Sequence, residues 1–176
     1  MLLIKLLILA VLLLIFIQDI LSRSVYWILF PVLAVLLTII RITSHQAWSI
    51  IGQSLLINNI FLALQLLLVS AWFSLKQGKW INITSQLLGL GDVLFLICVS
   101  FYLSVLNFLF FYISSLVSVL IMWLGRQLFA GKKEKQIPLA GFQAMLFILF
   151  LTNSWWLIHL DLTNDDWLFN VLTKWI

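Results

Sequence analysis

The long apolar runs of this chain constrain its fold more than any other feature. Leu2 to about Ile20 is almost unbroken hydrocarbon, and further runs cover about Val25 to Ile40 and Ile50 to Leu75. Val93 to Phe129 is too long for one membrane crossing and about right for two. A break is expected near Ser104 to Asn107, where polar residues interrupt it. Ala140 to His159 makes a sixth run. One crossing takes about 20 apolar residues. Lipid offers the backbone no hydrogen-bond partner, so a crossing segment must be a helix or part of a closed barrel. These runs do not alternate, and they are far longer than barrel strands. The expected fold is therefore an all-α membrane protein. Residues 1–160 form a polytopic bundle of six transmembrane helices, and residues 161–176 form a short amphipathic, interfacial tail.

Composition agrees. Hydrophobic residues make up 64% of the chain and charged residues 9%, against about 25% charged in soluble domains. The lipid bilayer is thus the expected environment, with no room for a sizeable soluble domain. The net charge of +4 reads as orientation signal. No basic run interleaved with aromatics is long enough to follow a phosphate backbone, so no nucleic-acid partner is expected. Cys98 is the one cysteine. It excludes an internal disulfide and a Cys-x-x-Cys zinc site. His45 and His159 lack companion ligands, so neither a metal nor a cofactor is expected. Lys5 and the first apolar run resemble a signal peptide. The run is long, however, ends in Gln18-Asp19 and has no small-x-small cleavage site, so a retained span is expected.

The basic residues orient the bundle. With the N-terminus outside, the connections after the first, third and fifth spans face the cytoplasm. They hold Arg23, Lys76, Lys79, Arg126, Lys132, Lys133 and Lys135, seven of the ten basic residues. The opposite side holds Lys5, Arg41 and Lys174. Cytoplasmic loops are enriched in Lys and Arg, which favours this arrangement, with both termini outside. The tail is expected to begin at a Thr163 or Asn164 cap, with Asp165 and Asp166 in its first turn. Trp167, Leu168, Val171, Leu172 and Trp175 then share one stripe.

In this frame two acids reach one depth on one face. Asp19 ends the first run, and Asp92 opens the fourth inside Gly89-Leu90-Gly91-Asp92. A carboxylate at membrane depth costs roughly 2.5–3.5 kcal/mol, and chains seldom carry that cost without a use for it. Two carboxyl groups in contact share a proton, because they cannot both ionise cheaply. The ionised member takes a proton from water, which attacks a peptide carbonyl; the protonated member donates to the developing oxyanion. Asp19 and Asp92 are the candidate catalytic pair. Gly89 and Gly91 are expected to supply unusual backbone angles and room for a substrate strand. The plainer alternative makes each acid a helix cap at the interface. Arg23 reads first as a topology charge and second as a substrate contact. Asn58, Asn59 and Gln65, inside the third run, read as interhelical hydrogen-bond donors and acceptors rather than chemistry.

At these residues the chain resembles the type IV prepilin peptidases, the GxGD class of membrane aspartic proteases that includes the preflagellin peptidases. Asp19 followed by Arg23 and Val25 is similar to that family's first aspartate. Gly89-Leu90-Gly91-Asp92 with Val93 and Leu94 is similar to its second motif. Lys135-Gln136-Ile137-Pro138-Leu139-Ala140 is similar to the basic, Ile-Pro-bearing approach to a late span. The resemblance implies an endopeptidase in a prokaryotic plasma membrane, the cell inner membrane. It would remove the short basic leader of a prepilin-like precursor at the cytoplasmic edge of that precursor's apolar helix. The Cys-x-x-Cys domain of many bacterial members is absent, so methylation of the new N-terminus is not implied. Ile-Pro-Asn near the second span is replaced by Ser24-Val25-Tyr26-Trp27. The rival function is a non-catalytic membrane subunit of a pilus or secretion assembly machine. Oligomeric state is not set by the sequence.

Overall fold

The computed structural model describes residues 1–43, 46–77, 89–130, 139–158 and 160–173. His45, Lys79, Lys132, Lys133, Lys135, Pro138, His159, Lys174 and Trp175, to which the sequence assigned roles, lie outside the described residues. Among those described, every regular element is a helix. They are α1 Leu2–Ser22, α2 Leu29–Ile42, α3 Trp48–Gln77, α4 Leu90–Ser100, α5 Val105–Ala130, α6 Leu139–Thr152 and α7 Asp166–Thr173. A π-helical turn, Asn153–Leu157, continues α6.

Among the described residues, four helices are long and apolar enough to cross a membrane: α1, α3, α5, and α6 with its π turn. The apolar runs of the sequence predict six. α2 has 14 residues and α4 has 11, so at 1.5 Å per residue they reach only about 21 Å and 16 Å. The hydrocarbon layer is about 30 Å thick. The missing length of α2 lies in a turn: Ser22 Oγ donates to Gln18 and Ser24 carbonyls, and Tyr26 N–H donates to Gln18 Oε1. α4 and α5 part at Phe101–Ser104, just before the expected break.

The packing is built on helical stripes. On α1, Ile8, Leu12, Ile15 and Asp19 are all buried; their spacing of four, three and four residues is one helix face. On α4, Phe95, Leu96 and Val99 are buried, and Asp92 begins the same face. α6 answers with Ala140, Gly141, Ala144, Phe147 and Leu151. Small residues at its start let neighbouring backbones approach closely. α1 packs mainly against α6, and also against α2; α4 touches α2, α3, α5 and α6. The α1–α6 pair is antiparallel. Asp19 meets Gly141 at one end, and the Lys5 amine sits 5.1 Å from the Trp155 ring centre at the other.

A polar cluster ties the far end of the bundle. Arg41 is fully buried and donates to the Phe101 and Leu103 carbonyls and to Ser54 Oγ. Asn58 donates to Leu103 O, tying α3 to the turn between α4 and α5, and Asn59 donates to Ser100 Oγ at the end of α4. The tail differs from expectation here. Asp165 precedes α7 rather than entering its first turn, and its carboxylate accepts from Leu106 N, Asn107 N and Ser104 Oγ. It therefore caps α5, because those N-terminal amides have no partner within their own helix. Trp167 Nε1 donates to Asn107 Oδ1 at 2.9 Å and completes the docking.

Candidate active site

Three helix ends meet at the acid pair: the last turn of α1 and the first turns of α4 and α6. α6 begins at Leu139, and its first amides have no acceptor within the helix. Ala140 N–H donates to Asp92 Oδ1 at 2.7 Å, and Gly141 N–H donates to Asp19 Oδ2 at 2.6 Å. Two acids from α1 and α4 thus rest on consecutive amides of a third helix. Consecutive amide nitrogens cannot be far apart on a planar peptide framework, so the carboxyl groups are neighbours. The positive end of the α6 dipole faces both.

Each acid has its own setting. Asp19 is 8% exposed, and its carboxyl accepts its one described hydrogen bond from Gly141 N–H. Asp92 is half-buried and uses both oxygens: Oδ2 accepts from Gly89 N–H at 3.1 Å, while Asp92 N–H donates back to Gly89 O. Asp92 is therefore the first-turn acid that closes the start of α4, as well as a partner of α6.

The glycines act differently from expectation. Gly89 has φ −63° and ψ 139°, ordinary extended backbone, and no described glycine lies in the left-handed region. What Gly89 provides is space: a Cβ there would stand 3.2 Å from Asp92 Oδ2. A Cβ at Gly91 would meet only the Phe30 ring edge at 3.7 Å, an ordinary contact. The glycine on which the pair depends is Gly141. A Cβ there would lie 3.0 Å from Asp19 Cβ, 3.1 Å from Asp19 Oδ2 and 3.3 Å from Phe16 O. Gly141 directly follows the Lys135–Ala140 stretch and carries no functional group of its own. Its signal is a small residue within the first turn of an apolar run.

Arg23 occupies the left-handed region, φ 52°, as the residue that ends α1. Its N–H donates to Asp19 O at 3.0 Å, and the residue is exposed, one turn beyond the buried carboxyl. Asn58 and Asn59 belong to the cluster at the far end of the bundle and are not brought to the acids. Gln143, fully buried one half-turn after Gly141, donates to Ser115 Oγ at 3.2 Å and couples the start of α6 to α5.

Chemically, the site offers two adjacent carboxyl groups, amide donors that stabilise negative charge on them, and an open side at Gly89 and Leu90, both exposed. No protein-family model, curated protein or solved structure matches this chain.

Proposed function

We propose that the chain is an integral-membrane aspartic endopeptidase acting on single-span, prepilin-like precursors, as the motif resemblance implies. One observation carries the reading: Asp19 and Asp92, distant in sequence, are held on the neighbouring amides of Gly141 and Ala140. In this reading the pair shares one proton. Its ionised member deprotonates a water lying between the acids and the substrate. That water attacks the scissile carbonyl, and the protonated member donates to the oxyanion. The amides of α6 keep the carboxyls in place and lower the cost of their charge. Proton positions belong to the pair as a unit, so acid and base are not divided between the two.

The bundle has six spans in this proposal, with α2 and α4 as short ones, both termini outside, and the acids toward the cytoplasm of a prokaryotic plasma membrane. The distribution of Lys and Arg supports that orientation. A second reading rests on the same hydrogen bonds, since both carboxylates also cap helices. There the acids are structural, and the chain is an assembly subunit. Asp19→Asn and Asp92→Asn separate the two in a co-expression assay that scores leader removal from a precursor. Loss of cleavage with normal protein abundance is expected; full cleavage by either variant eliminates the aspartic mechanism.

A further inference from the structure

We infer that Lys5, Trp155 and Trp156 form a binding site for an anionic phospholipid in the leaflet opposite the acid pair, with the lipid's phosphate on the Lys5 amine. Lys5 and Asp19 sit near opposite ends of α1, roughly 21 Å apart along its axis at 1.5 Å per residue. The Lys5 amine stands 5.1 Å from the Trp155 ring centre and 5.6 Å from that of Trp156. The two rings meet edge to face, 5.6 Å apart. Trp155 is fixed: it is buried, and its Nε1 donates to the Tyr102 hydroxyl at 3.0 Å. Trp156 is exposed, and its Nε1 donates to no described residue. The π turn sets up this pair. Ile158 N–H donates to Asn153 O at 2.8 Å, the i→i+5 bond of such a turn. Neighbouring side chains then diverge by less than the ~100° of an α-helix, so consecutive indoles can flank one amine.

The rings stabilise the cation but leave its N–H donors unmatched. Among the described residues no acceptor takes a hydrogen bond from the Lys5 amine, and no carboxylate pairs with it. The acids at this end of the bundle are engaged elsewhere: Asp165 caps α5, and Asp161 accepts from Thr163. A lysine held beside two indoles near a helix end belongs at headgroup level. The anion available there is lipid phosphate. Towards the bilayer centre both helices carry exposed apolar side chains, Leu13 on α1 and Leu149 and Met145 on α6, along which an acyl chain can lie. The rings also select among lipids. Choline and ethanolamine headgroups bring a second cation to rings that already hold one, and like charges repel. A glycerol headgroup brings none, so phosphatidylglycerol fits the site and zwitterionic lipids do not. Nothing in this site depends on cleavage at the acid pair.

Native mass spectrometry of the full chain in detergent, titrated with phosphatidylglycerol or phosphatidylcholine, tests the site. The wild type should bind its first phosphatidylglycerol more tightly than phosphatidylcholine. Lys5→Gln should weaken that first binding by about fivefold, the worth of one lysine near an anionic membrane surface. Lys5→Arg should retain it, since a guanidinium keeps the charge and stacks on indoles. Trp156→Leu leaves the lysine and the buried Trp155 in place and should weaken binding as well. Lys76→Gln changes an exposed lysine in the last turn of α3, at the other end of the bundle. It controls for plain charge attraction and should leave the first binding nearly unchanged. Equal weakening by Lys5→Gln and Lys76→Gln overturns the site, as does equal affinity for the two lipids. The bound lipid should persist in excess inorganic phosphate; its displacement would reveal a free-phosphate site and overturn the lipid assignment. Should Lys5→Gln fail to accumulate, Trp156→Leu decides, and unchanged phosphatidylglycerol binding by that variant overturns the inference.

Discussion

Gly141→Ala tests the geometry with one methyl group. The new Cβ would stand 3.0 to 3.3 Å from Asp19 Cβ, Asp19 Oδ2 and Phe16 O. Carbon contacts are comfortable near 3.5–4.0 Å, so α6 must withdraw from α1 by roughly 0.5 Å or more. Phe16 O is backbone and cannot turn aside. The 2.6 Å bond from Gly141 N to Asp19 Oδ2 then stretches past 3 Å. Overpacking of this kind costs about 1–3 kcal/mol, while replacing Gly by Ala inside a helix returns up to about 1 kcal/mol. The net loss of stability should be small, about 0–2 kcal/mol, from the same two terms. Activity should suffer more, because a misplacement near 1 Å can cost about a hundredfold in rate. Gly52→Ala and Gly125→Ala are the controls, since a Cβ at either meets nothing within 4 Å. Stability is read by denaturant unfolding in detergent micelles, and activity by leader removal from the co-expressed precursor. If Gly141→Ala is as stable and as active as the two controls, the close approach of α6 to Asp19 is not what organises the site.

The other predictions concern the bundle. Arg41→Met removes a fully buried cation that holds the Phe101 and Leu103 carbonyls and Ser54. It also lies within electrostatic reach of Asp161 and Asp165. Leaving those buried carbonyl and hydroxyl acceptors without their donor costs about 1–3 kcal/mol, so a lower unfolding midpoint is expected. Cleavage per folded molecule should change little, since the acids sit at the opposite end. Separately, reporter fusions at Gly131 and Ile176 should report opposite sides of the membrane, with position 131 cytoplasmic. The reverse result would remove the proposed orientation of the site.

Much of this architecture is legible in the sequence because one-dimensional patterns encode it. Apolar runs mark the helices, and the four-and-three spacing of Ile8, Leu12, Ile15 and Asp19 places the first acid on a core face. The lengths of α2 and α4 are less legible. Hydropathy does not separate Val25–Ile28 from the helix that follows, because the turn there is set by Gln18 and Ser22 side chains. The role of Asp165 is illegible for a related reason: its partners Leu106 and Asn107 are remote in sequence, and the acid also suits a first turn. The third participant of the site is hidden more deeply. Ala140 and Gly141 contribute backbone amides, which carry no side-chain signature. Only the fold shows which helix start will point at a buried acid.

The two acids are alike in sequence but not in how they bear substitution, and that difference sharpens the test of mechanism. An asparagine oxygen still accepts a hydrogen bond, while its NH₂ end only donates. Asp19 has one described hydrogen bond to its carboxyl, from Gly141. Asp19→Asn can keep that bond and the α1–α6 contact, and it loses only the ability to hold and pass a proton. Asp92 has amide donors on both oxygens, from Ala140 and Gly89. Asp92→Asn must turn its NH₂ toward one of them and forfeit a cap, at a cost of about 1 kcal/mol. Abundance and unfolding midpoint should therefore be unchanged for Asp19→Asn and slightly lowered for Asp92→Asn, while cleavage is lost in both. Because the pair acts as one unit, the double variant should be no less active than either single one. A purely structural pair predicts another order: cleavage, or any other activity, would follow stability and survive in Asp19→Asn. Undiminished cleavage by that variant, at wild-type abundance, would show that the proton on Asp19 is not used.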